Sequence, residues 1–585
     1  RPGPDGELVQ VVDFDPVRKH WFAPVNLNDP FILAQDGLRP NENDPRTHQQ
    51  IVYAVTMSVV ERFERYLGRR FRWRGKDRLR LVPHAFEGRN AFFDPTRRAV
   101  LFGYYRANEK DPGANLPGQM IFTCLSSDII AHEVTHAIVH RLRRRFSQAT
   151  NPDVFAWHEA FADLIALFQH FAHRDVVLDA VTTARGELQK GGALFDLALE
   201  FGQSSGRGAA LRSAIKPCEP RTPERFRNAT EAHERGSCFV AAVFDAYVDH
   251  FNASVADLLR IATSGTGVLP PGRLHPDLVG RVATSATATA DAFLGMVVRA
   301  IDYLPPVDVR FGDVVRAIVT ADRELYPDDP LGYRRELVEA LRRRGIYPES
   351  VSALTDNALV WPAPPQGLML TDGNPRVPLE ELILDAAMKL DVAGDLVDVQ
   401  ELMGERRDEP KVPDDAPTDS PVQLYRPLVE WAGNHAYQLG FQPPDDTCPI
   451  ALEGVHVAFR QADDRQPRPE FVIQFTQRRK DLELEYQPDP EIAEDDRIPL
   501  RAGTTLITRI NGHVEYIIAK PLKLREPYPA EAEEYHQAGT KRYDDMTGWF
   551  EELDLADPLS VWRDDAPAVK RLDFASLHGA MDVEM

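Results

Sequence analysis

Two histidines and one glutamate stand close together in the segment AHEVTH, residues 131–136, within a largely apolar stretch. Residues four apart on an α-helix lie one above the other, so His132 and His136 can bind one metal ion from the same face. Glu133, one step around the helix, would flank a water molecule on that ion and accept its proton during attack on a carbonyl. Neutral imidazoles suit zinc, so this spacing predicts a Zn²⁺ site on a helix. The alternative is a chance pattern in which the histidines only cap or pack.

A second helical segment, FAWHEAFADLIALF at 155–168, offers carboxylates for the same site. We expect Glu159 to be the third zinc ligand and Asp163, one turn later, to orient His132 by accepting its other ring N–H. The alternative is that both are ordinary polar positions of an amphipathic helix. Their apolar neighbours argue against this, because an unbound charge is costly to bury. His140 and His158 are expected to lie off the face that carries the ligands.

Size and charge restrict the class of protein. A chain of 585 residues is expected to contain about three or four compact units. Its net charge of −22 argues against nucleic-acid binding, which needs a surplus of Lys and Arg, and against anionic membrane surfaces. No apolar stretch reaches the ~18 residues of a membrane span. The four cysteines show no metal-type spacing and are expected to be reduced, which favours the cytoplasm; since the sequence begins at Arg1, an earlier leader and secretion stay open.

The first part of the chain is predicted to contain one sheet followed by helices. Asp44-Pro45 is typical of a helix N-terminus, and the segments LRLVPHAF and RRAVLFGYY have the composition of neighbouring strands. We predict an N-terminal segment at 1–45, an amino lobe at 46–145 and a helical second lobe at 146–349. Gly345 and Pro348 mark the end of that lobe.

The remaining chain differs in composition. A connector with a helix and a flexible, charged linker is predicted at 350–422, followed by a β-rich C-terminal domain at 423–585. GVHVAFR, EFVIQFTQ and LELEYQ are predicted strands, and Asn511-Gly512 predicts a hairpin. We expect this domain to bind a protein partner, and a chain ending near Ser350 to fold without it.

With HExxH followed by ExxxD, the sequence resembles the thermolysin-like zinc metallopeptidases of the gluzincin clan. Three further segments agree in order: NAFF at 90–93, ALRSAIKP at 210–217 and HERGSCFVAAVFDAY at 233–247. The resemblance covers about residues 45–348. It implies an α+β, two-lobed peptidase with a mixed amino lobe and a helical second lobe, to which the β-rich C-terminal domain is added.

The resemblance also implies roles for individual residues. Asn90 and the backbone of Ala91 would bind the substrate as an added strand, and Arg212 would hold a substrate carbonyl. His233 would stabilise the oxyanion, while Ile129 and Leu211 would line an apolar primed-side pocket.

The implied reaction is hydrolysis of an internal peptide bond in a peptide or protein, before a bulky apolar residue. Two alternatives stay open. A gluzincin aminopeptidase would need an acidic anchor for the free amine, and no GxMEN-like stretch precedes the motif. A catalytically inert zinc protein, acting as a binding or regulatory module, is favoured by Thr150, which stands where the family has a tyrosine.

Overall fold

The computed structural model describes residues 4–73, 78–110, 115–171, 173–184, 221–269, 272–349, 351–364, 367–371, 377–382, 421–461, 467–488 and 497–555. The described chain contains mixed α and β structure with two main sheets, as the sequence predicted at this level. None of the helices in these ranges combines the length and hydropathy that a membrane span needs.

The first sheet lies in the N-terminal part of the chain. Its strand order is β1-β4-β6-β5, with β7 paired to the far end of β6, and a small separate ladder joins β2 to β3. The predicted neighbours β4 and β6 are confirmed as parallel partners, with Leu81 opposite Val100, and β5 forms an antiparallel edge. The strands are β1 (Val9–Val11), β2 (Phe14–Asp15), β3 (His20–Trp21), β4 (Leu79–Glu87), β5 (Ala91–Asp94), β6 (Ala99–Arg106) and β7 (Met120–Phe122).

Two helices lie along the chain between β3 and β4, and the other helices of this part follow the sheet. The predicted start at Asp44-Pro45 is confirmed: Asp44 caps the helix by accepting from the Arg46 N–H at 3.0 Å, and Pro45 is the first helical residue. The helices up to residue 349 are α1 (Pro30–Leu33), α2 (Pro45–Leu67), α3 (Ser127–Leu142), α4 (Pro152–Phe171), α5 (Arg174–Ala184), α6 (Pro223–Asn228), α7 (Ala232–Ala262), α8 (Pro276–Ala300), α9 (Phe311–Leu325) and α10 (Tyr333–Arg343).

The second sheet is antiparallel, with strand order β11-β10-β9-β8. The predicted hairpin is confirmed, because Gly512 has a φ of 87° between paired strands and the Asn511 side chain accepts from the His513 N–H. This part of the chain also contains helices, so it is not purely β. Its elements are α11 (Asp356–Leu359), α12 (Pro421–Asn434), β8 (Ile450–Gln461), β9 (Pro467–Arg478), α13 (Lys480–Tyr486), β10 (Arg501–Arg509), β11 (Val514–Lys520) and α14 (Glu533–Leu555).

The predicted strand LELEYQ is wrong, because this segment forms helix α13. The prediction assumed that leucines face inwards and glutamates outwards. Instead Glu483 is buried, where it accepts from Arg478 and from the Leu500 N–H at 3.0 Å, and Leu484 is half exposed. An ion pair with the preceding strand therefore overrides the alternating pattern.

The second sheet packs closely against the rest of the chain. Val472, Ile507 and Ile518 belong to the same buried apolar cluster as the first sheet and its helices. The Thr505 hydroxyl donates to the Leu304 carbonyl at 2.8 Å.

Buried ion pairs cross the same boundary. Arg542 donates to Asp308 at 2.7 Å, and Arg460 donates to Asp302 at 2.7 Å. A chain ending near residue 350, which we expected to fold alone, would lack these contacts. The proline-rich and charged composition after residue 350 indicated that a different kind of structure begins there. Composition carries no information on whether that part packs against the rest of the chain. Much of the connector predicted at 350–422, including nearly all of its charged linker, lies outside the described residues, which leave out 383–420.

Candidate metal centre

Helix α3 carries the AHEVTH motif through the interior of the protein. Ser126 caps its N-terminus by accepting from the Ile129 N–H, and Ile129 itself is half-buried. His132, Glu133 and His136 are all buried. Helix α4 packs against α3 and brings Glu159 to the same place.

Three donor groups converge there, as predicted. Nε2 of His132 lies 3.4 Å from Oε2 of Glu159, and Nε2 of His136 lies 3.3 Å from Oε1 of the same carboxylate. Ligands of a tetrahedral zinc ion are about 3.3–3.4 Å apart, given metal–ligand distances of about 2.0–2.1 Å. Both carboxylate distances match this value. The two Nε2 atoms are 2.8 Å apart, so binding would require them to separate by about 0.5 Å.

The outer ring nitrogens of the two histidines have partners of their own. Nδ1 of His132 lies 3.0 Å from Oδ1 of Asp163, which is the arrangement the sequence predicted. Nδ1 of His136 lies 3.0 Å from Nδ1 of His158, a contact the sequence did not predict. Burial lowers the pKa of His158 to about 3, so this ring is neutral and can accept from His136. Both contacts leave an Nε2 lone pair for a metal ion.

The charges of the site favour a bound cation. Glu133, Glu159 and Asp163 are buried carboxylates, and burial holds the pKa of His136 far below its ordinary value, so that ring is neutral. A cluster of negative groups in an apolar interior is costly unless a cation balances it. Two imidazoles and one carboxylate are the donor set of many catalytic zinc sites, so the residues fit Zn²⁺.

Glu133 lies between the cluster and the edge of the first sheet. Its Oε2 accepts from the Phe93 N–H of β5 at 3.1 Å. Asn90 begins that strand: its side chain accepts from the Ala91 N–H at 2.8 Å, and its carbonyl accepts from the Gly103 N–H at 2.9 Å. The expected substrate strand and the expected general base are therefore neighbours.

His233 also reaches the cluster, from the first turn of α7. Its Nε2 lies 3.3 Å from Oε2 of Glu159, and its Nδ1 lies 2.7 Å from Oε1 of Glu231, the residue that caps the helix. Gly236 makes the approach of α7 to α4 feasible, because a Cβ there would lie 2.6 Å from the Ala156 carbonyl oxygen. Glu231 was not predicted; an acidic cap two residues before a candidate histidine is the signal that could have identified it.

Two of the residues considered from the sequence lie outside the described part of the chain, and two described histidines are not part of the cluster. Arg212 and Leu211 lie outside the described residues. His140, as expected, is not among the ligands; its ring lies 5.6 Å from that of Phe93. His158 is likewise not a ligand, yet it contacts one.

Comparison of the sequence with models of known protein families, and with curated proteins, finds no match. The functional argument therefore depends on the chemistry and geometry of the site.

Proposed function

We propose that the protein is a zinc-dependent endopeptidase of the thermolysin-like kind. The observation that carries this proposal is the convergence of His132, His136 and Glu159 with a second buried carboxylate, Glu133, beside a sheet edge. A two-lobed arrangement, with the first sheet in one lobe and most helices from α4 onwards in the other, is part of the proposal.

The roles of the residues follow from their positions. Zn²⁺ held by the three ligands would polarise a substrate carbonyl and acidify a bound water. Glu133 accepts the proton of the attacking water, and the Phe93 N–H holds its carboxylate in place for that transfer. Asp163 and His158 fix the ring orientation of the two histidines.

His233 is the proposed donor to the negative oxygen that develops during attack. The contact of Nδ1 with the Glu231 carboxylate fixes the ring, and in the protonated ring Nε2 is a donor.

The substrate would add to the edge strand β5. An extended peptide can pair with the free side of an edge strand, and Asn90 and Ala91 stand at the start of this one. Ile129 and Leu211 would select a bulky apolar residue after the cleaved bond, and Arg212 would hold a substrate carbonyl; Leu211 and Arg212 lie outside the described residues.

Replacing Glu133 with glutamine tests the proposal. The substitution keeps the three metal ligands but removes the proton acceptor, so zinc content should stay at the wild-type level while cleavage of a quenched internal peptide is almost abolished. Glu483→Gln, which neutralises a buried carboxylate in helix α13, is the matched control and should retain activity.

The same assay separates the alternatives. An aminopeptidase would hydrolyse an amino-terminal amide faster than the internal peptide. An inert zinc protein would cleave neither substrate in its wild-type form, and full activity in Glu133→Gln would refute the assigned mechanism.

A further inference from the structure

A second group of metal-type side chains lies in the amino-terminal part of the chain. His48 comes from α2, His84 from β4, and Cys124 from the 3-10 turn Thr123–Leu125. All three are buried, and their donor atoms lie within 4.8 Å of one another. The group shares no residue with the cluster around Glu159, so nothing proposed above accounts for it.

In each histidine, the ring nitrogen that faces away from the other histidine, here called the outer nitrogen, already has a hydrogen-bond partner. Nε2 of His48 lies 3.0 Å from the Glu42 carbonyl oxygen, and Nδ1 of His84 lies 2.6 Å from Oδ1 of Asp13. Gln49 donates to the other oxygen of Asp13 at 2.8 Å. A carbonyl and a carboxylate can only accept, so both outer nitrogens must carry the hydrogen.

The inner nitrogens are then left as acceptors. Nδ1 of His48 and Nε2 of His84 face each other at 2.9 Å. In neutral rings this brings two lone pairs together, which is unfavourable unless a cation lies between or beside them. That cation is either a proton shared by the two rings or a metal ion.

Cys124 favours the metal ion. A shared proton needs no third group, whereas a divalent metal needs more ligands, and a fully buried thiol stands within reach of both nitrogens. The charges also balance, since a thiolate and the Asp13 carboxylate together neutralise a divalent ion while the two imidazoles stay neutral. A carboxylate and a carbonyl behind the ligating rings are the usual outer partners of zinc-bound histidines.

The distances require only small adjustment. Around a tetrahedral zinc ion, two nitrogens are about 3.3–3.4 Å apart, and nitrogen and sulfur about 3.6 Å. The imidazoles would separate by about 0.5 Å and the thiolate would approach by up to about 1 Å. The aromatic rings of Phe22 and Phe122 pack against these histidines.

We propose that His48, His84 and Cys124 form a second, structural zinc site. Cys124 lies eight residues before His132, in the turn that leads directly into α3. A metal ion there ties the start of the motif helix to α2 and to the sheet, and Asp13 adds the N-terminal segment to the same anchor.

Cobalt substitution tests this site separately from the first one, because the first cluster contains no sulfur. The full chain, produced in cobalt-supplemented medium, should show a thiolate-to-cobalt charge-transfer band in the near ultraviolet. Cys124→Ser should lose this band and lower the metal content from two ions to one per chain. Cys448→Ser, which changes another buried free cysteine, is the control and should keep both.

Two results would overturn the proposal. One is a folded wild-type chain that binds cobalt without a thiolate band. The other is a band that persists in Cys124→Ser. If Cys124→Ser fails to fold, X-ray absorption at the zinc edge of the wild-type chain decides the question, since sulfur must be found among the zinc ligands.

Discussion

Arg460 holds the second sheet to the rest of the protein, and its replacement by methionine should destabilise the whole chain. The side chain is 3% exposed and donates to Asp302 at 2.7 Å, while its other arm pairs with Glu470 on the neighbouring strand. Its guanidinium also lies over the Tyr303 ring, 5.1 Å from the centroid.

The size of the expected loss of stability depends on which contacts Asp302 and Glu470 keep when Arg460 is replaced. Removing one member of a buried pair costs about 3–5 kcal/mol. Asp302 keeps Arg69, whose NH2 group donates to it at 2.8 Å, so it is not left unpaired. Glu470 keeps the Tyr303 hydroxyl at 3.0 Å but loses its cation. Methionine preserves most of the apolar stem, so we expect a loss near the lower limit, about 3 kcal/mol.

The loss of folding stability in Arg460→Met should depend on pH. Burial raises the pKa of Glu470 above its ordinary value even though Arg460 lowers it, so removal of Arg460 raises this pKa further. Between the unfolded and folded pKa values the native chain binds more protons than the unfolded chain, so stability falls as pH rises. Arg460→Met should therefore be more destabilised at about pH 8 than at about pH 5, where Glu470 can be neutral.

Thermal and denaturant unfolding at both pH values measure this effect. Arg426→Met, which removes the exposed partner of Glu430, is the control and should change stability by about 0.5 kcal/mol or less. A loss of stability in Arg460→Met as small as that of the control would refute the conclusion that Arg460 holds the second sheet to the rest of the protein. An equal loss at both pH values would refute the role given to Glu470.

Three further predictions concern the metal centre and the chain boundary. Asp163→Asn should weaken zinc binding by about 10- to 100-fold in competition with a chromogenic chelator, because Nδ1 of His132 loses its carboxylate; unchanged affinity would show that Asp163 does not orient the ligand. His233→Ala should lower kcat by about 10²- to 10³-fold with little change in KM, and a pure KM effect would make it a binding residue. A chain ending at residue 349 should be insoluble or inactive even on short peptides, because Asp302 and Asp308 would lose Arg460 and Arg542; a soluble, active product would show that the second sheet is dispensable.

Local signals in the sequence were sufficient to predict many helices and strands, but not how these elements pack against one another. Asp44-Pro45 and Asn511-Gly512 each act within a few residues, so a capped helix and a hairpin could be predicted from them. The contact between Asp302 and Arg460 joins residues 158 positions apart, and no pattern in either segment refers to the other. Composition predicted a separate C-terminal domain, and most of the buried apolar residues there do form a cluster of their own, but composition could not predict the buried contacts that join this part to the rest of the chain.

The same distinction between local signals and long-range contacts holds for the proposed metal ligands. His132 and His136 are related by one helical turn, and Glu159 and Asp163 by another, so helical spacing alone predicts which of them face together. His158 precedes Glu159 by about 100° of rotation around the helix, so the sequence predicted that it lies off the ligand face. In the structure, the outer nitrogen of His136 nevertheless contacts His158 on that side of α4.

His48, His84 and Cys124 come from three elements with no common spacing, so only the folded chain brings them together. Cys124 then connects both clusters along the chain, since the turn that it occupies determines where α3, and with it His132, begins. Loss of metal from the second site should therefore weaken zinc binding at the first, although the two share no ligand.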